Sequence, residues 1–205
     1  MKKIAIINYE VGNIKSIFNA FKYMGLKVDI IDNPLKVKDY DKIILPGVGS
    51  FKYCMEKIKE KKFDHELKNF VIKKKIILGI CVGMQLLCKS SSEDGQTKGF
   101  NFFEAKVEKF NSHEVRGNNV PHIGFNSVIA DKNSKLFKNF NINPDFYFIH
   151  SYRVKAKQED CLYSQFNYGD KFVSSIEKDN IFGVQFHPEK SQLNGIKLFY
   201  NFVKI

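Results

Sequence analysis

The feature that most constrains this chain is the alternation of short apolar runs with helix-periodic segments across its first eighty residues. Residues 3–7 read as a strand. Ile14, Ile17, Phe18, Phe21 and Met24 then recur at i, i+3, i+4, i+7 and i+10, the spacing of one helix face. Asn13 suits the N-cap of that helix and Gly25 its stop. Residues 27–31 and 43–45 make two further strands, helical stretches follow at 53–59 and 66–73, and residues 76–78 make the next strand. Such alternation predicts an α/β fold, a parallel sheet with helices on both faces. From about Gly99 the segments become short and β-rich, at 105–110, 127–130, 145–149, 162–166, 172–176 and 182–186, before a closing helix over 195–202. The expected whole is one domain over residues 1–205: a mostly parallel central sheet flanked by helices, with a β-rich C-terminal half.

No apolar run approaches the ~20 residues of a membrane helix. The opening MKKIAII superficially resembles a signal peptide, but the apolar patch stops at Asn8 without a small-residue cleavage site, so a cytoplasmic location is expected. The four cysteines, Cys54, Cys81, Cys88 and Cys161, lack zinc-site spacing and are expected to be free thiols. A net charge of +11 raises the question of nucleic acid. Against it, the positive charge is almost all scattered lysine, and Arg116 and Arg153 are the sole arginines. Phosphate and base recognition usually draws on arginine's fork of donors. A solvated lysine surface is the better account.

In a doubly wound sheet, sites gather at the carboxyl ends of strands. Two glycine-bearing loops fall there: Pro46-Gly47-Val48-Gly49 and Gly79-Ile80-Cys81-Val82-Gly83. The second is the thiol counterpart of the G-x-S-x-G elbow, which presents a nucleophile at a helix start and turns the next residue's N–H, here that of Val82, toward a developing oxyanion. A helix N-terminus also favours thiolate over thiol. Read alone, the pentapeptide fits equally a buried cysteine between packing glycines. A nucleophilic thiol needs a base, and the base an orienting group. His187 follows an apolar strand, and Glu189 lies two residues on, within reach in extended backbone. A surface turn is the competing account of that pair. His150 also ends a strand but has no acidic neighbour at i+2, which makes it a pocket element. His122 is expected to hydrogen-bond in a loop, and His65 and His113 to be solvated.

Together these segments resemble a class I, triad-type glutamine amidotransferase, and more narrowly the HisH-type glutaminase subunits of imidazole glycerol phosphate synthase. Six motifs match in order over nearly the full length. They are Asn8-Tyr9-Glu10-Val11-Gly12-Asn13, Leu45-Pro46-Gly47-Val48-Gly49-Ser50, Gly79 to Gln85, Val120-Pro121-His122-Ile123-Gly124-Phe125-Asn126, His150-Ser151-Tyr152 and Phe186 to Gln192. The resemblance implies glutamine hydrolysis by Cys81, His187 and Glu189 without metal or organic cofactor. It implies oxyanion or substrate contacts from Gly47, Val48, Gly49, Val82, Gln85, Ser151 and Tyr152. It also implies ammonia transfer to a (β/α)8 barrel synthase subunit, with Asn13, Phe125 and Lys190 near that interface, and no nucleic-acid or membrane partner. Glu10 stands where such loops commonly carry glycine, Asn8 where aspartate is common, Phe125 where tryptophan is usual and Val82 where leucine is. None of the four touches the triad, but Glu10 and Phe125 bear on which partner is served. A paralogue feeding a surface-sugar amidotransferase is the first alternative, and a non-catalytic binding protein on this fold the second.

Overall fold

The computed structural model describes residues 2–140, 143–157 and 159–205. Its first part alternates as the sequence predicts: β1 (Ile4–Ile7), α1 (Ile14–Tyr23), β2 (Asp29–Ile31), a 3-10 turn (Pro34–Asp39), β3 (Lys42–Leu45), α2 (Phe51–Glu60), α3 (Phe63–Ile72), β4 (Ile76–Ile80) and α4 (Val82–Leu86). β1 and β3 are buried at every position, as strands covered on both faces must be. α1 buries Ile17 and Phe21 instead, one face of an amphipathic helix. It ends in a Schellman turn, in which Leu26 N–H donates to Phe21 O and Gly25 N–H to Lys22 O, both at 3.0 Å. Gly25 has φ +68°, where a Cβ would strain the backbone.

The second part adds β5 (Cys88–Ser91), β6 (Thr97–Lys98), β7 (Phe103–Lys109), α5 (Ser112–Val115), β8 (His122–Ile129), β9 (Asp145–His150), β10 (Tyr152–Lys155), β11 (Leu162–Tyr168), β12 (Asp170–Lys178), β13 (Ile181–Val184) and α6 (Gln192–Lys204). Among the described residues, nine strands form one sheet in the order β2-β1-β3-β4-β13-β12-β11-β8-β9. Pairing is parallel from β2 through β13 and antiparallel from β12 to β9. The parallel expectation therefore holds for the α/β half, and the β-rich half extends the same sheet as antiparallel strands. β10, β7, β5 and β6 make a smaller sheet beside it.

Helices flank the large sheet. α1 packs on α6, with Phe21 5.1 Å from Phe199 between ring centres, and α2 packs on α3 and α4. The buried Lys42 ammonium donates to the Phe202 and Val203 carbonyls at 2.7 and 2.8 Å, satisfying orphan acceptors in the last turn of α6. Because β1, β3, β4 and β13 are parallel neighbours, the loops after their carboxyl ends lie along one edge. Those loops carry residues 8–13, 46–50, 81 and 185–191.

Candidate active site

Cys81 joins β4 to α4 with φ +55° and ψ −115°, a conformation that costs a non-glycine residue roughly 1–3 kcal/mol. Neighbouring contacts hold it there. Its N–H donates to Val184 O at 2.8 Å, and its carbonyl accepts from Met84 N–H and Gln85 N–H. The flanking glycines are packing glycines. A Cβ on Gly79 would sit 2.6 Å from the Gly83 carbonyl carbon, and one on Gly83 would collide with the Leu45 carbonyl. Tight packing of α4 on the strands thus holds the cysteine in its strained turn.

His187 Nδ1 donates to Glu189 Oε1 at 2.7 Å, and both side chains are almost wholly buried. The contact closes across a 3-10 turn (Pro188–Lys190) and not along extended backbone. Ser191 Oγ pins this turn by donating to His187 O at 2.6 Å while accepting Tyr147 N–H at 2.9 Å. With Nδ1–H committed to the carboxylate, the free ring atom is Nε2, which has no hydrogen-bond partner. Cys81 and His187 line one cavity of about 350 Å³. Cys81 is close enough to act on the imidazole, although no hydrogen bond of ordinary geometry reaches Nε2, and such contacts often tighten only when substrate binds. Burial pulls the His187 imidazolium down, but the Cys81 and Glu189 anions outweigh it and raise its pKa above the ordinary imidazole value.

Asn13 is the start of α1 but makes no side-chain cap. Its Nδ2 instead donates to Glu189 Oε1 at 3.2 Å, so capping yields to support of the carboxylate. Val48, Gly49 and Val82 line the cavity. Gly47 does not: a Cβ there would lie 2.5 Å from Gly83 N, so it serves the packing of β3's loop on α4. The loop is fixed at two carbonyls, Pro46 O by Tyr9 Oη at 2.6 Å and Val48 O by Cys54 Sγ at 3.3 Å. In a trans peptide, a Val48 carbonyl turned to Cys54 puts the Gly49 N–H on the opposite side. Gln85, Ser151, Tyr152, Asn13 and Lys190 also line the cavity. The Ser151 and Tyr152 carbonyls are already engaged, accepting from Phe110 N–H at 3.0 Å and from Gln85 Nε2 at 3.1 Å. Phe125 stands outside, 51% exposed on β8 and edge-on to Tyr147. Lys190 Nζ lies 5.6 Å from the Tyr147 ring centre.

A family model described as class-I glutamine amidotransferase matches residues 5–205. The chain belongs to the class-I glutamine amidotransferase family. This amidotransferase is 44% identical over 203 residues to "Imidazole glycerol phosphate synthase subunit HisH 1" of Campylobacter jejuni, covering 98% of this chain and 100% of the relative. It is 41% identical over 204 residues to the HisH subunit of Leptospira interrogans, with coverage of 98% and 100%. A solved glutamine amidotransferase superposes with TM-score 0.76 at 15% identity, covering 98% of this chain and 97% of the other. The PurLQS structure from Thermotoga maritima does so at 0.75 and 20%, covering 100% and 99%. At those identities the two structures speak to the fold alone.

Three residues of this amidotransferase's site escaped the sequence reading. Glu93 lines the cavity, accepts Phe51 N–H at 2.8 Å, and has its pKa raised by burial. It sits in a Ser-rich turn, Ser90-Ser91-Ser92-Glu93-Asp94-Gly95, with nothing to mark it. Ile149 lines the rim, and Gln185 lies behind Cys81. His150 does line the cavity, with Nδ1 donating to Tyr152 O at 2.8 Å. His122 departs from expectation. It opens β8, is buried among Phe148, Phe166 and Tyr168, and its Nδ1 has no partner, so it is a core histidine and not a loop donor. His65 and His113 are exposed. No helix among the described residues is long and apolar enough to cross a membrane.

Proposed function

We propose that this chain hydrolyses glutamine in the cytoplasm, as the glutaminase subunit of an imidazole glycerol phosphate synthase in histidine biosynthesis, and passes the ammonia to a (β/α)8 barrel partner. The observation that carries the proposal is the strained Cys81 facing a Glu189-oriented His187 across one cavity. The Cys81 thiolate attacks the carboxamide carbon, and the carbonyl electrons move to oxygen. Val82 N–H and the Gly49 N–H are the donors available to that oxyanion; losing one such donor typically costs about 10²–10³ in rate. The His187 imidazolium gives its Nε2 proton to the nitrogen, the C–N bond breaks and ammonia leaves. Water then adds to the thioester carbon while neutral His187 takes its proton, the C–S bond breaks, and glutamate departs. Glu189 holds the ring and stabilises each imidazolium. Within the cavity, the Glu93 carboxylate suits the ammonium of a free amino acid and the Lys190 ammonium its carboxylate.

Support for a partner comes from the relatives, whose names make them synthase subunits. The exposed β8–β9 face beside the cavity mouth, with Ile123, Phe125 and Ile149 57%, 51% and 41% exposed, suits burial against another protein. Glutaminase rates should be measured for the chain alone, with the barrel subunit from its own genome, and with that subunit plus its ligand. Activation by the histidine-pathway barrel is the expected result. Full activity of the isolated chain would remove the coupling, and activation by a surface-sugar amidotransferase instead would reassign the partner.

A further inference from the structure

Gln185 is fully buried one residue beyond β13, and the chemistry above gives it no task. Its backbone is secured without the side chain, since Gln185 N–H donates to Ser174 O at 2.8 Å. The amide itself lies behind the cavity lining, in contact with both Cys81 and Gln85. Gln185 Nε2 is 3.8 Å from Cys81 Sγ, and Gln185 Oε1 accepts from Gln85 Nε2 at 2.9 Å. Gln85, 2% exposed, also donates from Nε2 to Tyr152 O at 3.1 Å.

We propose that Gln185 is a positioning residue whose orientation is dictated through Gln85 by the Tyr152 carbonyl, so that its NH2 group faces the Cys81 sulfur and Gln85 offers a carbonyl oxygen to the substrate. The two ends of an amide have nearly the same shape, so its polarity must come from a neighbour of fixed chemistry. The Tyr152 carbonyl is such a neighbour, for it can only accept. The Gln85 atom beside it is therefore the nitrogen. That nitrogen also faces Gln185, so the Gln185 atom opposite is the oxygen. The remaining end of Gln185, toward sulfur, is then a donor.

Two consequences follow from this relay. A donor near Sγ favours the thiolate over the thiol without adding a charge that would compete with the oxyanion. Both hydrogens of Gln85 are spent, so its free group is Oε1, an acceptor matched to a substrate N–H. One buried chain of amides thus sets the ionisation of the nucleophile and the polarity of a substrate contact together.

The proposal rests on the glutaminase assignment, and the test separates the two. The pH profile of Cys81 alkylation by iodoacetamide, read by peptide mapping, should be compared for the native chain, Gln185→Met and Gln185→Glu, together with kcat and KM for glutamine in the presence of the barrel partner. Loss of a hydrogen bond to a charged group predicts a midpoint about one pH unit higher in Gln185→Met, or about tenfold. Gln185→Glu should move it further. kcat should fall about tenfold in Gln185→Met, and KM should rise as Gln85 becomes free to flip. Gln85→Met, which does not touch the sulfur, should raise the midpoint by less, and it serves where a residue 185 variant folds poorly. A purely structural Gln185 would lower the unfolding temperature and leave the midpoint in place. An unreactive Cys81 in the native chain would overturn the glutaminase assignment and the relay with it. A reactive Cys81 whose midpoint is unmoved in these variants would overturn the relay alone.

Discussion

Glu189→Gln tests how the histidine is held, because the structure predicts that the amide keeps the correct tautomer. Glu189 Oε1 receives two donors, His187 Nδ1–H at 2.7 Å and Asn13 Nδ2 at 3.2 Å, whereas Oε2 is buried and has no partner. A glutamine at 189 therefore puts its oxygen toward both donors and its nitrogen where Oε2 was. His187 keeps its proton on Nδ1, and only the carboxylate's charge is lost. A hydrogen bond to a charged group is worth about 1.5–3 kcal/mol against about 1 for a neutral one, so kcat should fall by roughly 2- to 30-fold. Asn13→Ala alone should cost less, since the carboxylate still accepts the histidine proton. Combined with Glu189→Gln it should be far worse. Nothing then prevents the amide nitrogen from turning to Nδ1, and a wrong tautomer in the serine-protease triad costs about 10⁴. Steady-state ammonia release by the four proteins, each saturated with the barrel partner, measures the cycle. Additive effects, or a Glu189→Gln variant as dead as His187→Ala, would refute the reasoning.

Three other outcomes are expected. Burial raises the Cys54 and Cys161 thiols to about 11 and pushes Cys88 up as well, so a glutamine-mimicking chloroketone at neutral pH should label Cys81 alone, as peptide mapping would show. Burial lowers His150 to about 3 and His122 to about 4, so the unfolded chain binds protons that the folded chain refuses. Stability should then fall as pH drops from about 6.5 toward 4, by about 2 kcal/mol from His150 at pH 5, with His122 adding in the same direction. His187 offsets only a small part of this loss, because its raised pKa gives a contribution already nearly complete at the unfolded value and lost as pH rises; urea unfolding at pH 7 and 5 measures the balance. Gly79→Ala places a methyl against the Gly83 carbonyl and within 2.7 Å of Met84 Cα, so calorimetry should show about 1–3 kcal/mol of destabilisation.

What the sequence made legible follows from where the physics is local. The parallel strands are continuous apolar runs and α1 has a clean 3.6-residue period, so both stand out. The loops at the ends of β3, β4 and β13 then bring Cys81, His187 and Glu189 to one edge. Of the small sheet, β7 was legible at 105–110, whereas Cys88–Ser91 and Thr97–Lys98 were opaque because they are short and polar, defined by their partners and not by propensity. β8 was only half seen, since Gly124 breaks its pattern and His122 reads as polar although it is buried. Asn13 has an N-cap's residue type, but the competing claim of Glu189 comes from 176 positions away. Gln185 and Gln85 are 100 residues apart, and no spacing rule pairs two amides at that distance.

The central claim, that Cys81 carries the acyl group of glutamine, is tested most directly by acid-quenching the Glu189→Gln chain during turnover with its partner and mapping the peptides by mass spectrometry. A glutamyl adduct on the peptide containing Cys81, absent in Cys81→Ala, is the predicted result. Turnover of glutamine with that adduct missing, or carried by Cys54 or another residue, would contradict the account.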